Sequence, residues 1–307
     1  MAEDEALFSE AEELGSFLAE LESEREVKEI AGWETGFPGL SRALNGLLPG
    51  LYLLIGPPSS GKSAFAKQLC DQAAQSNQVA AIFYAFAETK KELRIRTLAR
   101  LSGLENREIR RGSSFLLHWY GEPKRRGPDP ERMAPSWEKL KRAAEEARSW
   151  LGRVYLFEGA DNTSAAGIEK QIRAVREIKG CERVMAVLDD CQRLGPRDLP
   201  IDDRLPIVAE ELQGMAARLK FPLFATWPDL RRDRSAQAFT DWAERVGAAD
   251  VILVMENDPE RTKKLSEPAR ALNVHVVKNR GGERGALAFE FMPPFAKFTE
   301  VPPGLSR

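Results

Sequence analysis

The stretch GPPSSGKS, Gly56 to Ser63, decides how the rest of this chain is read. It follows the apolar run LYLLI and opens a helical pattern, AFAKQLCDQAA. Its eight residues match G-x-x-x-x-G-K-[ST], a loop whose glycines let consecutive backbone N–H groups turn inward around an anion. The helix behind it aims the positive end of its dipole at the same point. Gly56, Pro57, Pro58, Ser59, Ser60, Gly61, Lys62, Ser63 and Ala64 are therefore read as the cradle of a nucleoside triphosphate. Lys62 supplies a point charge to the outer phosphates and Ser63 a hydroxyl to Mg2+. At ordinary residue frequencies a chance match in a chain of this length is on the order of one per cent, and this one also falls between a strand pattern and a helix pattern.

Outward from the loop, short apolar runs alternate with helical patterns. The runs are LYLLI, VAAIFYAF, VYLFE, VMAVL, FPLFA, VILVM and LNVHVV. Helical spacing covers Ser63–Ala74, Lys90–Leu101, Pro135–Trp150, Ala165–Ile178 and Leu205–Lys220, with a short helix over Leu40–Leu47. Unbroken apolar runs suit strands buried on both faces, so the pattern predicts an α/β fold: a largely parallel central sheet with helices on both faces. ALAFEF and AKFTE, separated by Pro293-Pro294, read as a closing antiparallel edge. Residues 1–30 hold an amphipathic helix over Ser9–Ile30, residues 31–301 one ATPase domain with a loop insertion near 116–135, and 302–307 a tail.

A phosphate loop needs a metal-holding acid at the tip of a second buried strand. VMAVLDD supplies Asp189, with Ser63 the other metal ligand, while strand alternation sends Asp190 to the opposite face. VAAIFYAFAETKKEL ends its strand at Glu88; Thr89 and Glu92 form a capping box for the next helix. That leaves Glu88 as the carboxylate that orients an attacking water.

The 307 residues are 43 % hydrophobic and 30 % charged, with a net charge of −2. The molecule as a whole therefore does not steer towards nucleic acid. Arg231, Arg232 and Arg234 are local candidates for DNA contact. Cys70, Cys181 and Cys191 have no metal spacing and read as free thiols, and the two histidines, His118 and His275, lack ligand-like neighbours, so a His-based zinc site is not expected. No apolar run reaches membrane-spanning length, and the acidic start MAEDEALFSEAEEL lacks the features of a signal peptide, which predicts a cytoplasmic protein.

With these pieces placed, the chain resembles the RecA-like ATPase domain of DnaB-type replicative helicases, and more distantly KaiC-like ATPases. TGFPGLSRALNGLLPGLYLLIGPPSSGKSAFA looks like the family's entry segment. FAETKKELRIRTLARLSGL is similar to its glutamate segment and VLDDCQRL to its metal-binding strand end, which places Gln192 in the site. KNRGGERG matches the lysine and arginine that reach a neighbouring subunit's nucleotide, here Lys278 and Arg280. The resemblance implies ATP hydrolysis with Mg2+ in a homo-oligomer, a hexameric ring with nucleotide between subunits acting on single-stranded DNA. Four features depart from it. Trp227 stands where the family has a phosphate-sensing glutamine, Asp190 replaces an apolar residue, GPRDLPIDDRL is acidic for a DNA-facing loop, and only the helix over 9–30 precedes the domain. They keep a second reading open: a KaiC-like ATPase serving as a nucleotide-gated switch or assembly scaffold.

Overall fold

A computed structural model describes residues 29–111, 130–229 and 246–302, together with positions 14, 15, 18, 19 and 22. All nine stretches become strands of one sheet in the order β3-β2-β4-β5-β1-β6-β7-β8-β9. They are β1 (Gly50–Gly56), β2 (Ala80–Ala85), β3 (Val154–Glu158), β4 (Val184–Asp189), β5 (Pro222–Pro228), β6 (Val251–Asn257), β7 (Arg270–Asn279), β8 (Gly285–Met292) and β9 (Lys297–Val301). β1, β2 and β4 are buried at every residue, as unbroken apolar runs require. The pairings from β3 across to β6 are parallel. The antiparallel edge begins one strand earlier than the sequence suggests, because LNVHVV in β7 pairs antiparallel with β6; β8 and β9 continue it.

Helices α1 (Pro38–Leu44), α2 (Lys62–Asn77), α3 (Lys90–Ser102) and α4 (Pro130–Leu151) cover one face. Helices α5 (Ala165–Lys179) and α6 (Ile201–Leu219) cover the other. Two corrections concern their starts. α4 begins at Pro130, so the end of the 116–135 segment is helical; the rest of that segment lies outside the described residues. α6 begins at Ile201, so Asp202 and Asp203 of the acidic stretch occupy its first turn, where negative charge complements the helix dipole. The expected helix over Ser9–Ile30 lies mostly outside the described residues. Its positions 14, 15, 18, 19 and 22 are helical, whereas Glu29 and Ile30 are not.

Two devices fix α2, the helix behind the phosphate loop. Phe65, in its first turn, is wholly buried and meets Phe37, Phe289 and Phe298 at ring separations of 5.1, 5.5 and 5.2 Å, which ties the helix start to the antiparallel edge. Further along, a buried polar cluster joins α2 to α3. Lys67 and Arg100 both donate to Asp71; Thr97 donates to Asp71 at 2.7 Å and accepts from Lys67 at 2.8 Å. Burial alone raises the Asp71 pKa, yet the two cations hold it below the ordinary carboxylate value.

Asp71→Asn leaves Lys67 and Arg100 without a counter-charge in a site closed to water. We expect a loss of about 3–5 kcal/mol, read as a lowered urea midpoint; an unchanged midpoint would show that the cluster does not hold α2 to α3.

Candidate nucleotide site

The turn between β1 and α2 keeps its shape by backbone conformations that few residues adopt. Gly61 has φ +99°, and a Cβ there would stand 2.9 Å from Phe298 Cζ. Ser59 is left-handed as well, at φ 61°. Helix α2 starts with the Phe65 amide donating to Gly61 O at 2.9 Å. Ala64 is buried in its first turn. Lys62 folds back over the loop, its Nζ donating to Gly56 O and Pro57 O, both at 2.8 Å. Burial pushes the Lys62 pKa down, opposed by the charges of Asp190, Asp189 and Asp229. The Ser60 hydroxyl is buried with no partner.

Across the loop stands the tip of β4. Asp189 is wholly buried; its Oδ1 accepts from Thr226 Oγ1 at 2.7 Å and its Oδ2 makes no hydrogen bond. Burial lifts its carboxyl from the usual 3.8 to about 6; Thr226 pulls it down, Asp190 pushes it up, and the nearby Ser63 hydroxyl pulls it down again. The fold thus brings Ser63 and Asp189 beside each other. Asp190 does not follow the expected alternation. The strand ends at Asp189, Asp190 turns left-handed at φ 63°, and of the three carboxylates its charge weighs most on Lys62. Gln192 lies in the short 3-10 turn that follows, its Oε1 buried without a partner. Among the described residues no three His, Cys, Asp or Glu side chains converge on a metal cage. A serine hydroxyl and an orphaned carboxylate oxygen fit Mg2+, which keeps several waters and takes phosphate oxygens for the rest of its shell.

Two residues on β5 and its exit carry weight that the sequence reading missed. Thr226 links the strand to Asp189 and accepts the Asp190 amide at 2.9 Å. Asp229 is buried, bonds Gly56 O through its amide at 2.8 Å, and acts on Lys62. Trp227, expected near the sensing position, points away. Neighbours along a strand face opposite sides, so it is buried with Leu223 and Ala225 in the layer under α5 and α6. An acidic residue after an apolar run was the available signal for Asp229; nothing in the local pattern singles out Thr226.

Glu88 precedes the N-cap of α3, where the capping box of Thr89 and Glu92 forms as expected. Its carboxylate is held at both oxygens by Arg96, Nε donating to Oε2 at 2.9 Å and Nη2 to Oε1. The charge of Glu88 nonetheless reaches Asp189. Lys278 and Arg280 lie elsewhere. Lys278 Nζ donates to Gly247 O at 2.7 Å and Arg280 Nη1 to Asp250 Oδ1 at 2.9 Å. Asn279 pairs with Val251 and Val251 is in step with Tyr52, so this pair stands at the amino end of β1, whereas the loop leaves its carboxyl end. The stretch from Leu51 to Gly56 spans roughly 17 Å of strand, beyond the reach of an arginine side chain. Arg231, Arg232 and Arg234 lie outside the described residues.

Residues 32–119 match the family model of the DnaB-like helicase C terminal domain. The replicative DNA helicase DnaB of Pasteurella multocida is 33 % identical over 289 residues, covering 89 % of this chain and 56 % of that protein. Over most of its own length the chain is thus similar to a DnaB-type replicative helicase. The DnaB of Haemophilus influenzae is 30 % identical over 283 residues, with 89 % of this chain and 56 % of the relative covered. The chain thus spans 56 % of the length of these DnaB relatives. In fold, a solved structure described as an ATPase domain matches with a TM-score of 0.75 at 21 % identity, covering 96 % of this chain and 99 % of that one. A DnaB-like replicative helicase, solved with its interactions with primase in view, matches at 0.74 and 22 % identity, covering 97 % of this chain and 68 % of that one. The RecA-like fold that the DnaB resemblance implies is the one observed. Among the described residues no helix is long and apolar enough to cross a membrane.

A carboxyl raised to about 6 binds its proton more tightly folded than unfolded. Its stability contribution is complete below about pH 3.8 and lost as pH rises through about 6. Ionised Asp189 then costs the fold on the order of 3 kcal/mol. We expect Asp189→Asn to raise the Tm at pH 8 by several degrees, with the gain shrinking towards pH 4. Calorimetry showing the same gain at both pH values would mean that charge burial is not its source.

Proposed function

We propose that this chain binds and hydrolyses ATP with Mg2+, as one subunit of a ring-shaped oligomer acting on single-stranded DNA. The observation that carries the reading is a pair of buried oxygens without hydrogen-bond partners, Ser60 Oγ within the left-handed glycine loop and Asp189 Oδ2 at the β4 tip. Buried polar atoms without a partner are rare and each asks for a reason; a triphosphate and its metal supply one for both. Ser63 and Asp189 would hold the ion, which would neutralise phosphate charge when bound.

The chain's own groups divide the remaining work. The loop amides and Lys62 position the phosphates, with Lys62 exchanging Gly56 O and Pro57 O for phosphate oxygens. Thr226 keeps Asp189 turned towards Ser63. Glu88, released from Arg96, orients a water for attack on the γ-phosphorus and takes its proton as the bond to the departing ADP oxygen breaks. Gln192 senses the outcome at the β4 tip. Lys278 and Arg280, out of reach of their own loop, complete the site of a neighbouring subunit, where a guanidinium offsets charge building on the γ-phosphate.

The names of its curated relatives favour a helicase motor over a KaiC-like switch, and the acidic stretch that spoke for the switch is partly a helix start. Contact with single-stranded DNA would fall to Arg231, Arg232 and Arg234 in a basic channel tracking the phosphates.

Lys62→Ala should abolish nucleotide binding in a fluorescent-ATP titration. Glu88→Gln should bind normally and lose about 10²–10⁴ in turnover; full turnover would remove Glu88 from the mechanism. Arg280→Ala should keep ATP affinity and lose roughly 10³ in rate. Mixed with Lys62→Ala it should regain activity, and no rescue at any ratio would contradict action in trans. Single-stranded DNA should stimulate the wild type, with binding that weakens steeply as salt rises; rates indifferent to DNA at low salt would favour the switch.

A further inference from the structure

Arg280 does not hang free on its side of the sheet. The antiparallel register of β6 and β7 brings it level with Asp250, and its amide donates to Asp250 O at 3.2 Å. The Asp250 carboxylate then works in two directions. Oδ2 accepts the Leu51 amide at 2.9 Å, and Oδ1 accepts Arg280 Nη1 at 2.9 Å. The Asp250 amide returns a bond to Leu51 O at 3.0 Å, so the carboxylate is fixed to the first residues of β1. Gly50 makes room for it: at φ +149° a Cβ there would stand 2.7 Å from Asp250 Oδ2. The Asp250 side chain is 20 % exposed, against 59 % for Arg280. The anchor is sheltered while the guanidinium faces out, with further N–H groups to offer.

An exposed ion pair adds little stability, because holding a long side chain in one rotamer costs entropy. That same restriction helps a group that must meet a charge on another molecule, since its ordering is complete before the encounter. We propose that Asp250 is a positioning residue: it fixes Arg280 to the start of β1 so that the outward guanidinium is set for a neighbouring subunit's phosphate. The proposal rests on the reading that Arg280 acts in trans.

The test is ATPase assay of Asp250→Asn, alone and in mixed oligomers. Alone, it should lose roughly ten-fold in kcat with KM for ATP nearly unchanged. Mixed with Lys62→Ala it should recover, because interfaces form that pair its intact phosphate loop with an intact Asp250–Arg280 pair. Mixed with Arg280→Ala it should not recover, because no interface then has an anchored arginine. Full activity alone, recovery in neither mixture, or any recovery with Arg280→Ala would overturn the proposal; recovery with Arg280→Ala but not with Lys62→Ala would place the defect in the variant's own site. The mixture of Lys62→Ala with Arg280→Ala is the control. If it fails to recover, action in trans is wrong and the proposal falls with it; if it recovers, any failure above belongs to Asp250 alone.

Discussion

The burial of one carboxylate, Asp189, with one oxygen left without a hydrogen-bond partner beside the phosphate loop, is the constraint from which the rest of the structure follows. An ionised group removed from water must be paired, or its pKa moves until it is neutral. Here Thr226 satisfies one oxygen and the other is left open, so the carboxyl rises to about 6. The geometry needs three strands in order. β1 delivers the loop, β4 delivers the acid, and β5 between them contributes the threonine that turns it. The fold accepts a local cost at this point and offsets it in the wholly apolar strands and the aromatic cluster around Phe65.

Much of this was legible in the chain. Apolar runs marked the strands from β1 to β7; those of β1, β2 and β4 are unbroken because a strand buried on both faces tolerates no polar alternation, whereas β3 is only half-buried and β7 alternates, and the alternating pair ALAFEF and AKFTE marked β8 and β9. The glycine–lysine–serine turn and the acid at the VMAVL tip are set by local backbone demands, and the fold puts them at a strand–helix junction and a strand end. Legibility failed where a local rule met its boundary. Strand alternation held for Trp227, which is therefore buried away from the site, and broke at Asp190, where the strand had ended and the backbone turned left-handed. Thr226, Asp229, Arg96 and Asp250 act through contacts 8 to 199 residues away along the chain, which periodicity does not encode. The acidity of Asp202 and Asp203 read as a property of a loop and belongs to a helix dipole.

On the proposed reading, the two ends of the sheet hold complementary halves of one reaction site. The carboxyl ends carry the loop, Asp189 and Glu88; the amino ends carry Lys278 and Arg280, fixed by Gly247 and Asp250. Each of the charged side chains is already engaged within its own subunit: Lys62 by loop carbonyls, Glu88 by Arg96, Arg280 by Asp250. A subunit alone is thus ordered and idle, and nucleotide and neighbour together supply the partners that could replace those bonds. The Lys67–Asp71–Arg100 cluster couples the helix behind the loop to the helix that begins after Glu88, so a shift at the phosphates has a rigid route to that carboxylate.

The most direct measurement is a high-resolution structure of the protein with Mg2+ and a non-hydrolysable ATP analogue. The account predicts the β- and γ-phosphates within the 56–63 turn, the metal between Ser63 and Asp189, and Arg280 of an adjacent copy on the far side. An analogue bound elsewhere, or a turn still closed by Lys62 at saturating ligand, would contradict it.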